Sequence, residues 1–339
     1  MNAEPSPPSP TGPGAVVIRR HGDMIAAIPT LLGFVPTESV VIIGTRDHRV
    51  LAVGRVELTD AEHLVDDLIR PGLFTSAGTV HIVIIAASGQ HRPGGRSLGQ
   101  VPHARVATLL IAGFTTAGFQ IGHAAWTPVM EAGQRWYCYL EAGCGGILPD
   151  PRSTPLAAAA TVAGHVTYPS RQAMAHTLDP DRPHALHRRA TAISAALTGR
   201  TGDRRTDVRL VHGAVTRVIH GELPASDDEI VGLAVALADH AVRDASLAFC
   251  LDERSAAAVQ RLWTVLVRGT PAPYRAEPAV LLAITAYLHG DGVLAGLAAE
   301  TALQARPGHP LADIIRIAIR LGLPADDLRA AATEALHPR

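Results

Sequence analysis

Short apolar runs alternate with helical patterns through the first half of the chain. The unbroken run at residues 40–43 is typical of a strand buried on both faces. The strands that the pattern predicts cover residues 40–43, 50–58, 79–86, 121–130 and 134–141. The helices that it predicts cover residues 23–32, 61–69 and 101–118. This order, α-β-β-α-β-α-β-β, predicts a mixed sheet with helices on its faces.

The pattern changes in a segment rich in Gly and Pro at residues 143–155. Beyond it, Ala-rich and Leu-rich segments carry helical periodicity, and Ser226 with Glu229 has the signature of a capping box. We therefore predict an α/β domain at residues 21–142, a linker at 143–155 and an all-helical domain at 156–336. Strands are expected only before about residue 142. The Pro-rich residues 1–20 lack the apolar core of a signal peptide and are expected to form a disordered tail.

The last helices resemble a single tetratricopeptide unit, which is a pair of antiparallel helices. With Pro307 as the final proline of such a unit, the packing positions fall on Leu282, Ala283, Ala295 and Ala302. The predicted fold class is therefore an α/β domain followed by an all-helical, tetratricopeptide-like domain. A binding groove generally needs about three repeats, so one hairpin that packs on its neighbours is the alternative.

Composition removes several classes of function. The net charge is −1, which gives no electrostatic case for binding nucleic acid or an anionic membrane. All 30 basic residues are arginine, so Schiff-base, P-loop and Ser-Lys chemistry are excluded. The 3 cysteines are too few for a disulfide framework and favour a reducing compartment. We expect a cytoplasmic protein.

Polar candidates for a ligand site lie on and beside the second predicted strand. Arg55 and Glu57 are two residues apart and share one face, where they line a pocket or form a structural ion pair. Asp23 and Glu38 flank the first helix and the turn at Pro36. They either approach Arg55 or serve only as a helix cap and a turn residue.

A metal site is not expected from the spacing of the cysteines. Cys138 and Cys144 are six residues apart, and no second pair of cysteines follows. His123 and His81 are possible further ligands, but no pattern in the sequence places them near the cysteines. We therefore predict no tightly bound zinc and no cofactor.

Two other segments have a structural and a functional interpretation. Arg171 follows the expected helix cap Ser170. We interpret it as a salt bridge that tethers this helix to the first domain, in preference to a ligand contact. The Gly-rich residues 88–99 follow a strand, as a phosphate-binding loop does, but carry no Walker lysine. A flexible surface loop is the alternative there.

Residues spread over most of the chain match one known family in order. They include Pro29, Leu31-Leu32-Gly33-Phe34, Pro36, Arg55, Arg135-Trp136, Gly164 and Pro169-Ser170-Arg171. This ordered set resembles the actinobacterial family called domain of unknown function DUF4192. The resemblance implies a cytoplasmic actinobacterial protein, and it implies no substrate, cofactor or catalytic residue.

The chain departs from that family pattern at two places. Relatives often carry a denser cysteine cluster after the Arg-Trp strand, whereas here Cys144 is followed by Gly145 and Gly146. Glu57 stands where relatives commonly have Asp. These departures weaken any metal or redox site built on the cysteines.

Two classes of function follow from these observations. The first is a binding or interaction protein with a protein or small-molecule partner, and with neither nucleic acid nor a membrane. The second is a small-molecule binder or enzyme with a site at the strand ends of the first domain. Arg55, Glu57, Asp23 and Arg135 are its polar groups. The sequence does not decide whether the protein is an enzyme.

Overall fold

A computed structural model describes residues 20–47, 49–61, 77–87, 101–162, 164–199 and 203–336 of the chain. The helix predicted at 61–69, the Gly-rich residues 88–99 and nearly all of the tail at 1–20 lie outside these ranges. Internal contacts divide the chain into two compact units after Thr167, and residues 32–34 belong to the second unit. No helix in the described ranges is long and apolar enough to cross a membrane.

The first unit contains a mixed sheet, as predicted, with six strands where the sequence predicted five. Its strands are β1 (Ser39–Arg46), β2 (Arg49–Glu57), β3 (Thr79–Ile85), β4 (Gln120–Thr127), β5 (Arg135–Cys138) and β6 (Gly145–Ile147). They lie in the order β2-β1-β3-β4-β5-β6. Only β3 and β4 pair in parallel, and the other neighbours are antiparallel. The helices among the described residues of this unit are α1 (His21–Leu32), α2 (Ala104–Thr116) and α3 (Pro155–Val162).

One face of the sheet is wholly apolar. The β-branched residues of β1 and β3, such as Val40, Ile82 and Ile84, are fully buried there. Leu110 and Phe114 of α2 belong to the same cluster, so α2 covers this face. Burial of this apolar surface is the main source of stability for the unit.

The sheet extends into the predicted linker, which corrects the expectation that strands end before residue 142. β6 forms at Gly145–Ile147 and pairs with β5. A Cβ atom on Gly145 would lie 2.7 Å from the carbonyl oxygen of Trp136, and one on Gly146 would lie 2.9 Å from the indole nitrogen of Trp136. Because only glycine fits against Trp136 at these two positions, Ile147 is the one β-branched residue of this strand, too little for the sequence pattern to predict it.

The described residues of the second unit form helices joined by loops, with one isolated bridge between Phe34 and Tyr168. Its helices are α4 (Arg171–Ala175), α5 (Pro183–Thr198), α6 (Arg204–Ile219), α7 (Asp227–Leu237), α8 (His240–Leu251), α9 (Ala256–Gly269), α10 (Ala276–Leu288), α11 (Gly292–Ala305), α12 (Pro310–Leu321) and α13 (Ala325–Leu336). The capping box of Ser226 and Glu229 is confirmed at the start of α7. The four packing positions expected on α10 and α11 are buried. The tetratricopeptide-like character itself stays a prediction.

A buried carboxylate links the central helices of this unit. Glu277 of α10 is 2% exposed and accepts hydrogen bonds from Arg243 at 3.0 Å and from His309 at 3.3 Å. Arg306 also pairs with it. Burial alone raises the pKa of Glu277, but the hydrogen bonds of His309 and Arg243 and the charges of Arg243 and Arg306 outweigh it and hold this pKa at about 2. The charged carboxylate is therefore the form that the folded protein binds.

Glu277→Gln is expected to lower the free energy of unfolding at pH 7 by roughly 3 kcal/mol, because it removes the buried counter-charge of Arg243, which then keeps only the exposed carboxylate of Asp244. Since the folded pKa lies below the unfolded value of about 4.3, the contribution of Glu277 is present above that value. It is lost as the pH falls from about 4.3 toward 2. Denaturant unfolding of both proteins at pH 7 and pH 3 measures the difference.

The matched control is Glu300→Gln, since Glu300 is 53% exposed and pairs with Arg171 at the surface. Its expected effect is below about 1 kcal/mol. Equal losses in the two variants would contradict the structural role assigned to Glu277.

Candidate metal centre

The second face of the sheet carries imidazole and thiol groups. His81 of β3 and His123 of β4 are paired directly across the two strands. Cys138 ends β5, and its backbone N–H donates to the carbonyl oxygen of Cys144 at 3.1 Å. His21, the first residue of α1, stacks on His123. This face therefore gathers polar side chains opposite the apolar face that α2 covers.

A β-bulge at Gly122 places His123 on this face. Ile121 pairs with Val80 and His123 pairs with His81, so Gly122 is an extra residue between them. Regular alternation would put residues 121 and 123 on one face. Instead, Ile121 lies against the apolar core and His123 lies on the opposite face, next to His81.

The bulge position accepts no side chain. A Cβ atom on Gly122 would lie 2.5 Å from Cγ2 of Thr79 and 2.6 Å from Cε1 of His81. Real Cβ atoms do not approach so closely, so a larger residue would displace His81 or the strand. The glycine thus allows the two histidines to lie side by side.

Three potential ligands converge on this face, from the middle of β4, the end of β5 and the residue before β6. One nitrogen of His123 and the sulfur atoms of Cys138 and Cys144 all lie within 4.8 Å of one another. Nδ1 of His123 is 3.8 Å from Sγ of Cys138. A tetrahedral zinc ion with bonds of ~2.3 Å to sulfur and ~2.1 Å to nitrogen holds the two atoms about 3.6 Å apart. The observed spacing fits such an ion, and both thiols are free.

The surroundings of His123 are dry and aromatic. Its side chain is 3% exposed, and its Nε2 has no hydrogen-bond partner among the described residues. The ring of His21 is stacked on it at 3.8 Å between centroids, and the ring of Trp136 meets it edge-on at 5.4 Å. A buried polar atom without a partner is costly, but the nitrogen that faces the thiols is Nδ1, so the unpaired Nε2 does not itself indicate a metal.

Burial sets the protonation of the cluster. It lowers the pKa of His123 to about 4, with further contributions from His21 and His81, and it lowers the pKa of His81 to about 4, helped by His21. Burial also raises the pKa of the Cys144 thiol to about 11, together with a hydrogen bond to Cys138 and the charges of Cys138 and Glu141. The imidazoles are therefore neutral at pH 7, which is the form that binds metals.

The polar candidates of the second strand form a separate group at the other side of the sheet. Arg55 pairs with Glu57 at 2.6 Å and donates through Nε to Oγ of Ser39 at 2.9 Å. The shared face predicted for this pair is confirmed. Glu38 accepts a hydrogen bond from the N–H of Ala87 at 2.9 Å. The Arg55 side chain is only 15% exposed, so this ion pair lies in a partly buried setting.

The remaining candidates do not join this group. Asp23 lies inside the first turn of α1, which begins at His21, so it is not the helix cap that the sequence predicted. Arg135 starts β5, and four strand spacings, about 19 Å, separate β5 from the strand of Arg55. Arg171 pairs with Glu300 at 3.4 Å within the helical unit. This pair replaces the predicted tether to the first domain.

A match to a known family covers both units of this fold. Residues 22–326 match the family model described as domain of unknown function (DUF4192). The chain belongs to the DUF4192 family. No curated protein and no solved structure matches it. Since the DUF4192 description names no reaction, the functional argument for this family member depends on the geometry of its site.

The sequence of this DUF4192 protein offered Cys138, Cys144 and His123 as possible ligands but did not place them together, because the set is assembled across strands. His123 and Cys138 are 15 residues apart in the chain, and no spacing rule for metal motifs links them. The sequence feature that could have indicated the site is a histidine after glycine in one strand, His123, and a cysteine at the end of the next strand, Cys138. Interpreting that feature required knowledge of the bulge at Gly122.

Gly122→Ala is expected to lower the free energy of unfolding by about 1–3 kcal/mol, because its methyl group overlaps Thr79 and His81. Gly78→Ala is the matched control, since a Cβ atom there meets nothing within 4 Å. Denaturant melts of the two variants give the comparison. Equal stability of the two DUF4192 variants would show that the bulge has room for a side chain.

Proposed function

We propose that this DUF4192 protein binds a transition-metal ion, and that the ion is Zn²⁺ held by His123, Cys138 and Cys144. The observation that supports this proposal most directly is the convergence of one buried imidazole and two free thiols within 4.8 Å. This convergence makes the binding role expected from the sequence specific, because it names a metal ion as the ligand. The Arg55–Glu57 pair is then a structural feature of the sheet rather than the main site.

The ligand types favour zinc over other ions. Two thiolates and one imidazole form a borderline-soft set that suits Zn²⁺, whereas Mg²⁺ and Ca²⁺ require oxygen ligands. Iron–sulfur clusters are generally held by four cysteines, more than the 3 in the whole chain. Free thiols persist in a reducing compartment, which supports the proposed cytoplasmic location.

Backbone contacts hold the two thiols in position. Sγ of Cys138 accepts a hydrogen bond from the N–H of Leu140 at 3.3 Å. The N–H of Cys144 donates to the carbonyl oxygen of Glu141 at 3.2 Å, which closes the turn between the two cysteines. N–H donation to sulfur stabilises a thiolate, and the closed turn reduces the entropy lost when a metal binds.

The full-length protein, purified after growth with zinc, is expected to contain about one zinc ion per chain by elemental analysis. His123→Ala, Cys138→Ser and Cys144→Ser are each expected to weaken zinc affinity by more than about 100-fold in a competition with a chromophoric chelator, since each removes a direct ligand. Circular dichroism confirms that each variant is folded before its affinity is measured.

Cys250→Ala is the matched control for the thiols. Cys250 is fully buried in α8 of the helical unit and contacts the carbonyl oxygens of Ser246 and Leu281. Its removal should leave the zinc content unchanged. Zinc binding that survives in Cys138→Ser and Cys144→Ser, or a wild-type protein that binds no zinc at micromolar concentrations, would refute the proposed function.

A further inference from the structure

We infer that the metal at this site keeps one exchangeable coordination position, occupied by water at rest and open to a small monodentate donor ligand. This inference rests on the proposed function, since it requires an ion bound by His123, Cys138 and Cys144. It assigns the centre to the open type of zinc site rather than to the closed structural type.

The number of ligands is the first argument. The described residues supply three groups whose ligand atoms are close enough to share an ion. Structural zinc sites almost always use four protein ligands, whereas sites that act on a substrate use three protein ligands and a water. Two cysteines and one histidine are a known combination of the second type.

The orientation of His21 excludes it as a fourth ligand in the observed arrangement. Its ring is within 11° of parallel to the ring of His123, at a centroid distance of 3.8 Å. A metal bound by an imidazole nitrogen lies in the plane of that ring, because the lone pair of the nitrogen does. Because the two rings are stacked and nearly parallel, an ion in the plane of His123 lies out of the plane of His21, where no lone pair of His21 points at it.

His81 also lies outside the ligand group, although it is paired with His123 across the strands. Its Nε2 is 3.0 Å from Oγ1 of Thr45 and shares a hydrogen bond with it. The other edge of its ring lies against Gly122, where a Cβ atom would meet Cε1 and Nδ1 of His81. His81 is thus held by β1 and β4 rather than aimed at the two thiols.

The cluster is accessible from one side. His21 is exposed and Cys144 is half-buried, whereas His123 and Cys138 are buried beneath them. The indole of Trp136 stands edge-on to both imidazole rings, at 5.4 Å from His123 and 6.4 Å from His21. A ligand that enters beside Cys144 and His21 therefore contacts the ring of Trp136, which favours small donor ligands over bulky ones.

An open position determines what a zinc ion can do. It allows the ion to lower the pKa of a bound water or to polarise a carbonyl oxygen of a bound molecule. A closed site only stabilises the fold. Exchange of a ligand at the metal is therefore the property that separates a reactive centre from a structural one.

Cobalt(II) substitution of the full-length protein tests this property. Tetrahedral cobalt with thiolate ligands gives visible d–d bands and sulfur-to-cobalt charge-transfer bands. Azide and imidazole, added separately, are expected to shift the d–d bands in a saturable way, with one ligand bound per cobalt. His21→Ala and His81→Gln are expected to keep both sets of bands, since neither residue is assigned as a ligand.

The possible results separate the two proposals. Absence of thiolate-to-cobalt bands would refute metal binding and this inference with it. Bands that appear but do not respond to azide or imidazole would overturn the open position and leave metal binding intact. Collapse of the tetrahedral bands in a folded His21→Ala or His81→Gln protein would identify a fourth protein ligand. That result would also overturn the open position and leave metal binding intact. The wild-type titration decides the question even if a variant fails to fold.

Discussion

The β-bulge at Gly122 reverses the alternation of side chains partway along β4, and the arrangement of the candidate metal centre depends on that reversal. Before the bulge, Ile121 faces the apolar core, and after it Ala124 and Trp126 do so. Both parts of the strand thus contribute to the same core. The residue between them, His123, is directed to the other face, where Cys138 of the neighbouring strand lies.

The two faces of the sheet have different physical roles. The face under α2 is filled by aliphatic and aromatic side chains, and its burial stabilises the unit. The other face includes buried polar atoms without partners, among them Nε2 of His123 and the indole nitrogen of Trp136. Such atoms reduce stability unless a ligand satisfies them. A metal bound at Nδ1 of His123 does not satisfy Nε2, but a metal that binds only the folded ligand set stabilises the folded form, so metal binding and the stability of this unit are expected to be coupled.

The sequence predicted the parts of the fold that depend on local patterns. β1 and β3 were visible because buried central strands are continuous runs of β-branched residues, and the start of α7 was visible because Ser226 and Glu229 cap it reciprocally. β6 was missed because its glycines are required by the proximity of Trp136 and carry no strand propensity. The members of the ligand set were named from the sequence, but their convergence was not predicted, because strand register and a one-residue bulge bring them together and neither is a local property.

X-ray absorption at the zinc K-edge of the zinc-loaded protein tests the central claim most directly. The account predicts two sulfur scatterers at ~2.3 Å and two nitrogen or oxygen scatterers at ~2.0–2.1 Å, which correspond to Cys138, Cys144, His123 and one exogenous ligand. The sulfur shell should be absent from any zinc that remains bound to a Cys138→Ser, Cys144→Ser double variant. A wild-type spectrum with only nitrogen and oxygen neighbours would contradict the assignment of these three residues as the metal centre.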